Sequence, residues 1–178
     1  MLKNDNLELR PFEEDDIRLF YDWLNREESM GDYAGFNVNP CQMIRKKHED
    51  GYYWNEHRKY FIIEVGNIPV GEVVIHKALN YHTSGLEIAL CIDEQEYRKK
   101  GYGKKIVDLL LDYIFNNNPD INRVQAVIDS QNVPSANLFK SCGFTYEGIL
   151  RGINFHHGEF RDAHLYSILK KEWKNLKN

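Results

Sequence analysis

Arg98-Lys99-Lys100-Gly101-Tyr102-Gly103 runs straight into the helical stretch Lys104 to Phe115. Two glycines let a backbone turn tightly and bring its N–H groups close to an anion. A helix starting there directs its unpaired N–H groups and the positive end of its dipole at the same spot. Arg98, Lys99 and Lys100 add charge, so the hexamer has the makings of a diphosphate seat. Surface turns often mix Lys and Gly, so such a motif needs context. Upstream, Gly85-Leu-Glu-Ile-Ala-Leu-Cys-Ile92 reads as a buried strand bounded by Ser84-Gly85 and Asp93-Glu94. Downstream, Ile106, Leu109, Leu110, Tyr113 and Ile114 recur at helical spacing and give one apolar face.

The elements around this core can be read in outline. Leu7 to Pro11 is a first strand ended by proline. Glu13 to Asp16 place negative charge before a helix with Ile17, Phe20, Tyr21 and Leu24 on one face. Asn25 to Tyr60 is harder to read. It holds Gly31, Gly35, Gly51, the aromatic group Tyr33, Phe36, Tyr52, Tyr53 and Trp54, and a helical piece near Gln42 to Glu49. Tyr60 to Val65 and Ile68 to Lys77 form a hairpin about Gly66-Asn67, with the Glu87 strand pairing next. Arg123 to Asp129 is a strand, Pro134 to Ser141 a short helix ended by Gly143, and Thr145 to Phe155 with Phe160 to Leu169 an antiparallel pair. The order predicts a mixed α/β layered fold rather than a regular βαβ repeat.

The 178 residues fit one domain, 1–178, with room for a substantial core. Hydrophobic residues at 42% and charged residues at 28% suit a soluble globular protein. A net charge of −4 argues against general nucleic-acid affinity, and the basic cluster is local. No apolar run approaches the ~20 residues of a membrane span and no signal-peptide pattern opens the chain, so a cytoplasmic location without membrane attachment is expected. Cys41, Cys91 and Cys142 are odd in number and widely spaced, which suggests free thiols. His48, His57, His76, His82, His156, His157 and His164 lack zinc-ligand spacing, and no metal is expected.

In order and spacing the chain resembles the GNAT superfamily of acetyl-CoA-dependent N-acetyltransferases, and within it the bacterial enzymes that modify ribosomal-protein N-termini (the alanine/serine acetyltransferases). The resemblance rests on Leu9-Arg10-Pro11 with Asp15-Asp16, Ile68-Pro-Val-Gly71, Leu86-Glu-Ile88, Arg98 to Gly103, and Asn132-x-x-Ser135 leading to Cys142-Gly-Phe144. Glu147-Gly-Ile-Leu-Arg151, Gly158-Glu-Phe-Arg-Asp162 and Tyr166 complete it. It implies a mixed, mostly antiparallel central sheet with helices on both faces and a splayed strand pair holding coenzyme A. The pantetheine arm would lie along Leu90, Cys91 and Ile92, and backbone amides from Lys99 to Lys104 would take the diphosphate. Asn132 would contact the pantetheine, and the helix Ser135 to Ser141, with Phe139, would flank the coenzyme's other side.

Acetyl transfer needs a neutral amine, a stabilised carbonyl oxygen and a protonated leaving thiolate. Deprotonating a lysine-like amine at pH 7 costs about 4.6 kcal/mol, an α-amine about 1.4 kcal/mol, so a base matters more for an alkylamine. On the resemblance Glu87 is the candidate base; it could instead face solvent or pair with a lysine. Phe139 stands where many members carry a proton-donating tyrosine. Ser135 is then the candidate acid, or else a helix N-cap. Asn154 replaces a glutamate found in some ribosomal-protein enzymes.

The expected activity is transfer of an acetyl group from acetyl-CoA to a primary amine. The acceptor would be a protein N-terminus, a polyamine, an aminoglycoside or an amino sugar. A non-catalytic acyl-CoA-binding or regulatory domain is the alternative, and a homodimer is left open. Glu27, Glu28, Asp32, Glu49 and Asp50 make the Asn25 to Tyr60 segment acidic, which suits a cationic acceptor or simply a solvated surface.

Overall fold

A three-residue rung of parallel pairing organises the sheet. The computed structural model describes residues 1–30, 33, 38–78 and 85–177. Gly31, Asp32, Gly35, Phe36, His82 and Ser84, used in the sequence reading, lie outside these. Eight strands run in chain order as β1 (Leu2–Asn4), β2 (Leu7–Pro11), β3 (Arg58–Val65), β4 (Ile68–Lys77), β5 (Gly85–Ile92), β6 (Arg123–Asp129), β7 (Thr145–His156) and β8 (Glu159–Leu169). Their spatial order is β1-β2-β3-β4-β5-β6-β8-β7. Every neighbouring pair is antiparallel except β5 and β6. A parallel pair cannot be closed by a tight turn and needs a crossover. The helices are α1 (Ile17–Leu24), α2 (Glu27–Met30), α3 (Cys41–Glu49), α4 (Tyr102–Asn117), α5 (Val133–Ser141) and α6 (Lys170–Lys177), and α4 is that crossover.

Helices cover both faces. On one, Ile106, Val107, Leu110, Leu111, Ile114 and Phe115 of α4 pack over Val73, Ile75, Ile88, Val124 and Ala126, joined by Phe139 of α5 and Trp173 of α6. On the other, Ile17, Phe20 and Trp23 of α1 and Ile44 of α3 close over Phe12, Tyr53 and Ile62. Arg10 ties this second layer to the sheet, donating to both oxygens of Asp16 (2.7 and 2.8 Å) and to Glu64 (2.7 Å). No described helix is long and apolar enough to cross a membrane.

The structure adds β1, α2 and α6 to the sequence expectation. β1 is three residues long, and α6 is anchored by Trp173 alone with Leu176 exposed, so neither carries a legible period. The final hairpin turns at His157-Gly158, both with positive φ (49° and 83°), as the two-residue loop requires.

Between α1, α2 and the sheet lie two buried carboxyl groups without a cation partner of their own. Glu72 Oε2 on β4 and Asp93 Oδ2 just after β5 have no hydrogen-bond partner. Burial, reinforced by the charge of Asp93, pushes Glu72 up to about 8. Burial also pushes Asp93 up to about 7, against the opposing pull of the Cys91 thiol, Arg98 and Arg26. Burial drives the Cys91 thiol up too, and its Sγ lies 3.4 Å from the Ser29 carbonyl, so it is not a reactive thiolate.

Two outcomes follow. The native state holds the Glu72 proton up to about pH 8, while the unfolded chain releases it near 4.5, so the native state binds more protons in that window and loses stability as pH rises through it. The loss should be on the order of 1 kcal/mol per pH unit. Glu72→Gln, which mimics the protonated acid, should exceed wild type in thermal melts by a small margin at pH 5.5 and by a larger one at pH 8.5. Equal losses in both proteins between those pH values would refute the assignment. Gly71 is the second case, since a Cβ there would overlap the Cys91 carbonyl oxygen and stand 2.9 Å from Ile92 Cα. Gly71→Ala should cost about 1–3 kcal/mol in denaturant titrations by prising β4 from β5.

Candidate functional site

β5 and β6 pair only through Gly85↔Arg123, Leu86↔Val124 and Glu87↔Gln125. β5 then continues to Ile92 against β4, and β6 to Asp129 against β8. Beyond Glu87 the two strands part, and the β5 backbone groups facing β6 lose their ladder partners there. Ala89 is exposed although it sits in a central strand, and Leu90, Cys91 and Ile92 are half-buried along the same open edge. An extended ligand arm can complete such an edge by backbone hydrogen bonds, as an added strand does.

The crossover brings the N-terminus of α4 to the mouth of this slot. Lys99 (φ 59°) and Gly101 (φ 84°) are left-handed, and Gly101 is the cap residue, with no side chain to satisfy the first turn. No acidic residue occupies that turn, and Lys99, Lys100 and Gly101 are exposed. The N–H groups of Tyr102, Gly103 and Lys104 at this turn are therefore placed to meet an anion. Those features fit a coenzyme A diphosphate.

Individual side chains of the loop do different work. Arg98 is not turned to the seat as an anion ligand. Its guanidinium donates to the carbonyls of Ile92 (2.7 Å), Ser29 (2.9 Å), Glu28 (3.1 Å) and Asp93 (3.4 Å), clamping α2 to the end of β5. Lys100 Nζ lies 5.5 Å over the Tyr97 ring, and Lys104 Nζ reaches Asp108 and the Ser141 carbonyl, each at 3.3 Å. Gly103 has ordinary helical φ and is small for another reason: a Cβ would stand 3.0 Å from Leu138 Cδ2 of α5.

On α5 the sequence reading needs correction. Asn132, not Ser135, is the N-cap, its Oδ1 accepting from the Ser135 N–H at 3.0 Å. The cap engages Asn132 Oδ1, while the half-buried Ser135 hydroxyl takes no part in it. The Phe139 ring is 3% exposed and packs edge-on against Phe144 at 5.0 Å, so the coenzyme contact expected for it is a core contact instead.

Glu87 sits at the last rung before the strands separate. It neither faces open solvent nor pairs with a lysine. Gln125 Nε2 donates to its Oε2 at 2.9 Å, and His76 Nε2 stands 3.6 Å from its Oε1. The Gln125 amide is oriented by Arg123, whose Nε donates to its Oε1 at 3.4 Å. The sequence reading missed Gln125 and His76, although strand alternation and hairpin register carried the signal. Asn154 lies beyond the bulge in β7, opposite Arg161. The described acidic residues of the Asn25 to Tyr60 segment singled out above are divided between α2 (Glu27, Glu28) and the end of α3 (Glu49, Asp50), all exposed. Among the described residues no group of three or more His, Cys, Asp or Glu is placed to hold a metal.

Comparison with known proteins agrees with this fold. The uncharacterized N-acetyltransferase p20 of Bacillus licheniformis is 35% identical over 74 residues, 42% of this chain and 41% of that protein, so the match spans under half of that relative. The spermidine N-acetyltransferase of Vibrio cholerae, solved with CoA and spermine, superposes with TM-score 0.83 at 21% identity over 97% of this chain and 100% of the other. The ribosomal L7/L12 α-N-protein acetyltransferase RimL, solved with coenzyme A, gives TM-score 0.82 at 17% identity over 93% and 95%. At these identities the superpositions establish a shared fold. The profile of the acetyltransferase (GNAT) domain matches residues 6–145, most of the chain, and the protein belongs to that family.

Proposed function

We propose that this protein is an N-acetyltransferase that moves an acetyl group from acetyl-CoA to a primary amine bound beside Glu87. The observation that carries the reading is the coincidence at one mouth of an unpaired β5 edge and an uncapped α4 N-terminus. The edge from Leu90 to Ile92 would hold the pantetheine arm, and the amides from Lys99 to Lys104 the diphosphate. The coenzyme supplies an activated thioester; the chain orients it, excludes water and manages protons. Glu87 would take a proton from the incoming amine, with Gln125 fixing one carboxylate oxygen and leaving Oε1 for the transfer. The Ser135 hydroxyl, free of capping duty, is the donor proposed for the leaving sulfur. Its contribution should be modest, since a thiol with pKa near ~8.5 leaves tolerably as thiolate.

Residues 1–178 are taken as one domain serving this site. The solved neighbours include enzymes for polyamine and for ribosomal protein, so the acceptor class proposed is a primary amine, small molecule or protein N-terminus. A thiol-release assay with acetyl-CoA and a panel of spermidine, kanamycin, glucosamine and alanine- or serine-initiated peptides tests the reading. Release above the hydrolysis background supports catalysis, and a blank panel with intact acetyl-CoA binding identifies a binding domain instead.

The coenzyme seat has its own test. Gly101 needs left-handed φ, and a branched side chain strains it there although nothing lies within 4 Å of a Cβ. Gly101→Val should weaken acetyl-CoA by about tenfold or more in calorimetry, the ~1–2 kcal/mol expected from misplacing a left-handed cap. Far-ultraviolet circular dichroism should be unchanged. Unaltered affinity in the folded variant would reject the diphosphate assignment.

A further inference from the structure

The register places a polar row across the sheet where an apolar one would be ordinary. Arg58 of β3 lies opposite His76 of β4, His76 opposite Glu87 of β5, Glu87 opposite Gln125 of β6, and Gln125 opposite Ser167 of β8. Glu147 of β7 ends the row, accepting from Ser167 Oγ and from Arg123 Nη1 (2.9 Å). Opposed residues in neighbouring strands share a face and touch. The row therefore crosses the crotch of the splay, with Glu87 at its centre.

The hydrogen-bond inventory determines what His76 offers. Its Nδ1 lies 3.1 Å from the Lys77 carbonyl oxygen, which can only accept, so Nδ1 carries the hydrogen. Nε2 is left with its lone pair toward Glu87 Oε1. The 3.6 Å separation is longer than a hydrogen bond, so the two atoms face each other without one. Once Glu87 gains a proton, its O–H becomes the donor this lone pair lacks. The His76 side chain is 22% exposed against 18% for Glu87, so the ring too reaches solvent.

Stoichiometry supplies the need. When an ammonium acceptor is acetylated, the N–C bond forms and the C–S bond breaks, and the nitrogen gives up two protons. One ends on sulfur as the thiol, and the other must leave the site. We propose that His76 is the positioning partner of Glu87 and the exit for that proton, receiving it at Nε2 from Glu87 Oε1 and releasing it to water. The inference rests on Glu87 acting as base. Along the same row stand the charged groups Arg58 on β3, Arg123 on β6 and Glu147 on β7.

The experiment uses the full chain and whichever amine of the panel releases most thiol, and compares Glu87→Gln, His76→Phe, His76→Ala and Glu87→Gln/His76→Phe. Glu87→Gln should lower kcat/KM by ~10²- to 10⁴-fold at pH 6.5, and His76→Phe by a smaller factor of about tenfold or more. The double variant should be no worse than Glu87→Gln alone, because both act in one chain. The His76 defects should fade at pH values where the acceptor is already neutral, and added imidazole should restore part of kcat to His76→Ala. Wild-type activity in Glu87→Gln would overturn the base and the relay together. Impaired Glu87→Gln with fully active His76 variants would overturn the relay alone. A His76 loss equal at every pH and unmoved by imidazole would mark a merely structural residue and overturn it equally.

Discussion

A single parallel rung in an antiparallel sheet is the constraint on which the rest of the molecule depends. Because β5 and β6 run the same way, the chain must cross a face between them, and α4 makes that crossing. The helix must therefore begin where β5 ends, and its unpaired amides fall at the open end of the pair. Neighbours on the outer sides hold each strand firmly, β4 against β5 and β8 against β6, so the sheet can afford to part in the middle. The slot and the anion seat are consequences of one topological choice.

That choice carries a cost in polar groups. Backbone atoms on the open edge lack partners, and two carboxyl groups on the opposite layer, Glu72 and Asp93, are buried without a dedicated cation. Arg98 meets part of this cost. By gripping the carbonyls of Ile92 and Asp93 on one side and of Glu28 and Ser29 on the other, it fastens helix α2 to the end of β5. Glu94 adds a second tie, accepting from Trp23 Nε1 at 2.8 Å and Arg26 Nη2 at 2.9 Å. Both ties thus come from the six residues that follow Ile92.

Much of this was legible in the sequence because it is periodic or punctuated. The Glu87 strand, the glycine loop and the apolar face of Ile106, Leu110 and Ile114 were each readable, and resemblance supplied the splay. What escaped were features of register. Nothing in Arg98-Lys99-Lys100 distinguishes a side chain that faces an anion from one that folds back onto carbonyls. Asn132 and Ser135 are both good capping residues, and only backbone geometry assigns the cap to the first. Phe139 reads as a missing tyrosine until its ring is seen against Phe144.

The polar row at the crotch shows the same limit from the other side. His76 and Gln125 are unremarkable one at a time, and neither belongs to a motif. Their meaning comes from the pairing His76↔Glu87↔Gln125, which joins positions 49 residues apart in the chain (125 minus 76). An antiparallel rung on one side and a parallel rung on the other meet at one carboxylate, and each contributes a different function. The amide holds one oxygen with a donated hydrogen bond, and the imidazole Nε2 faces the other at 3.6 Å. A carboxylate held on one oxygen and left receptive on the other is asymmetric before any substrate arrives. Such asymmetry is what a directional proton transfer requires, and here it arises from strand order.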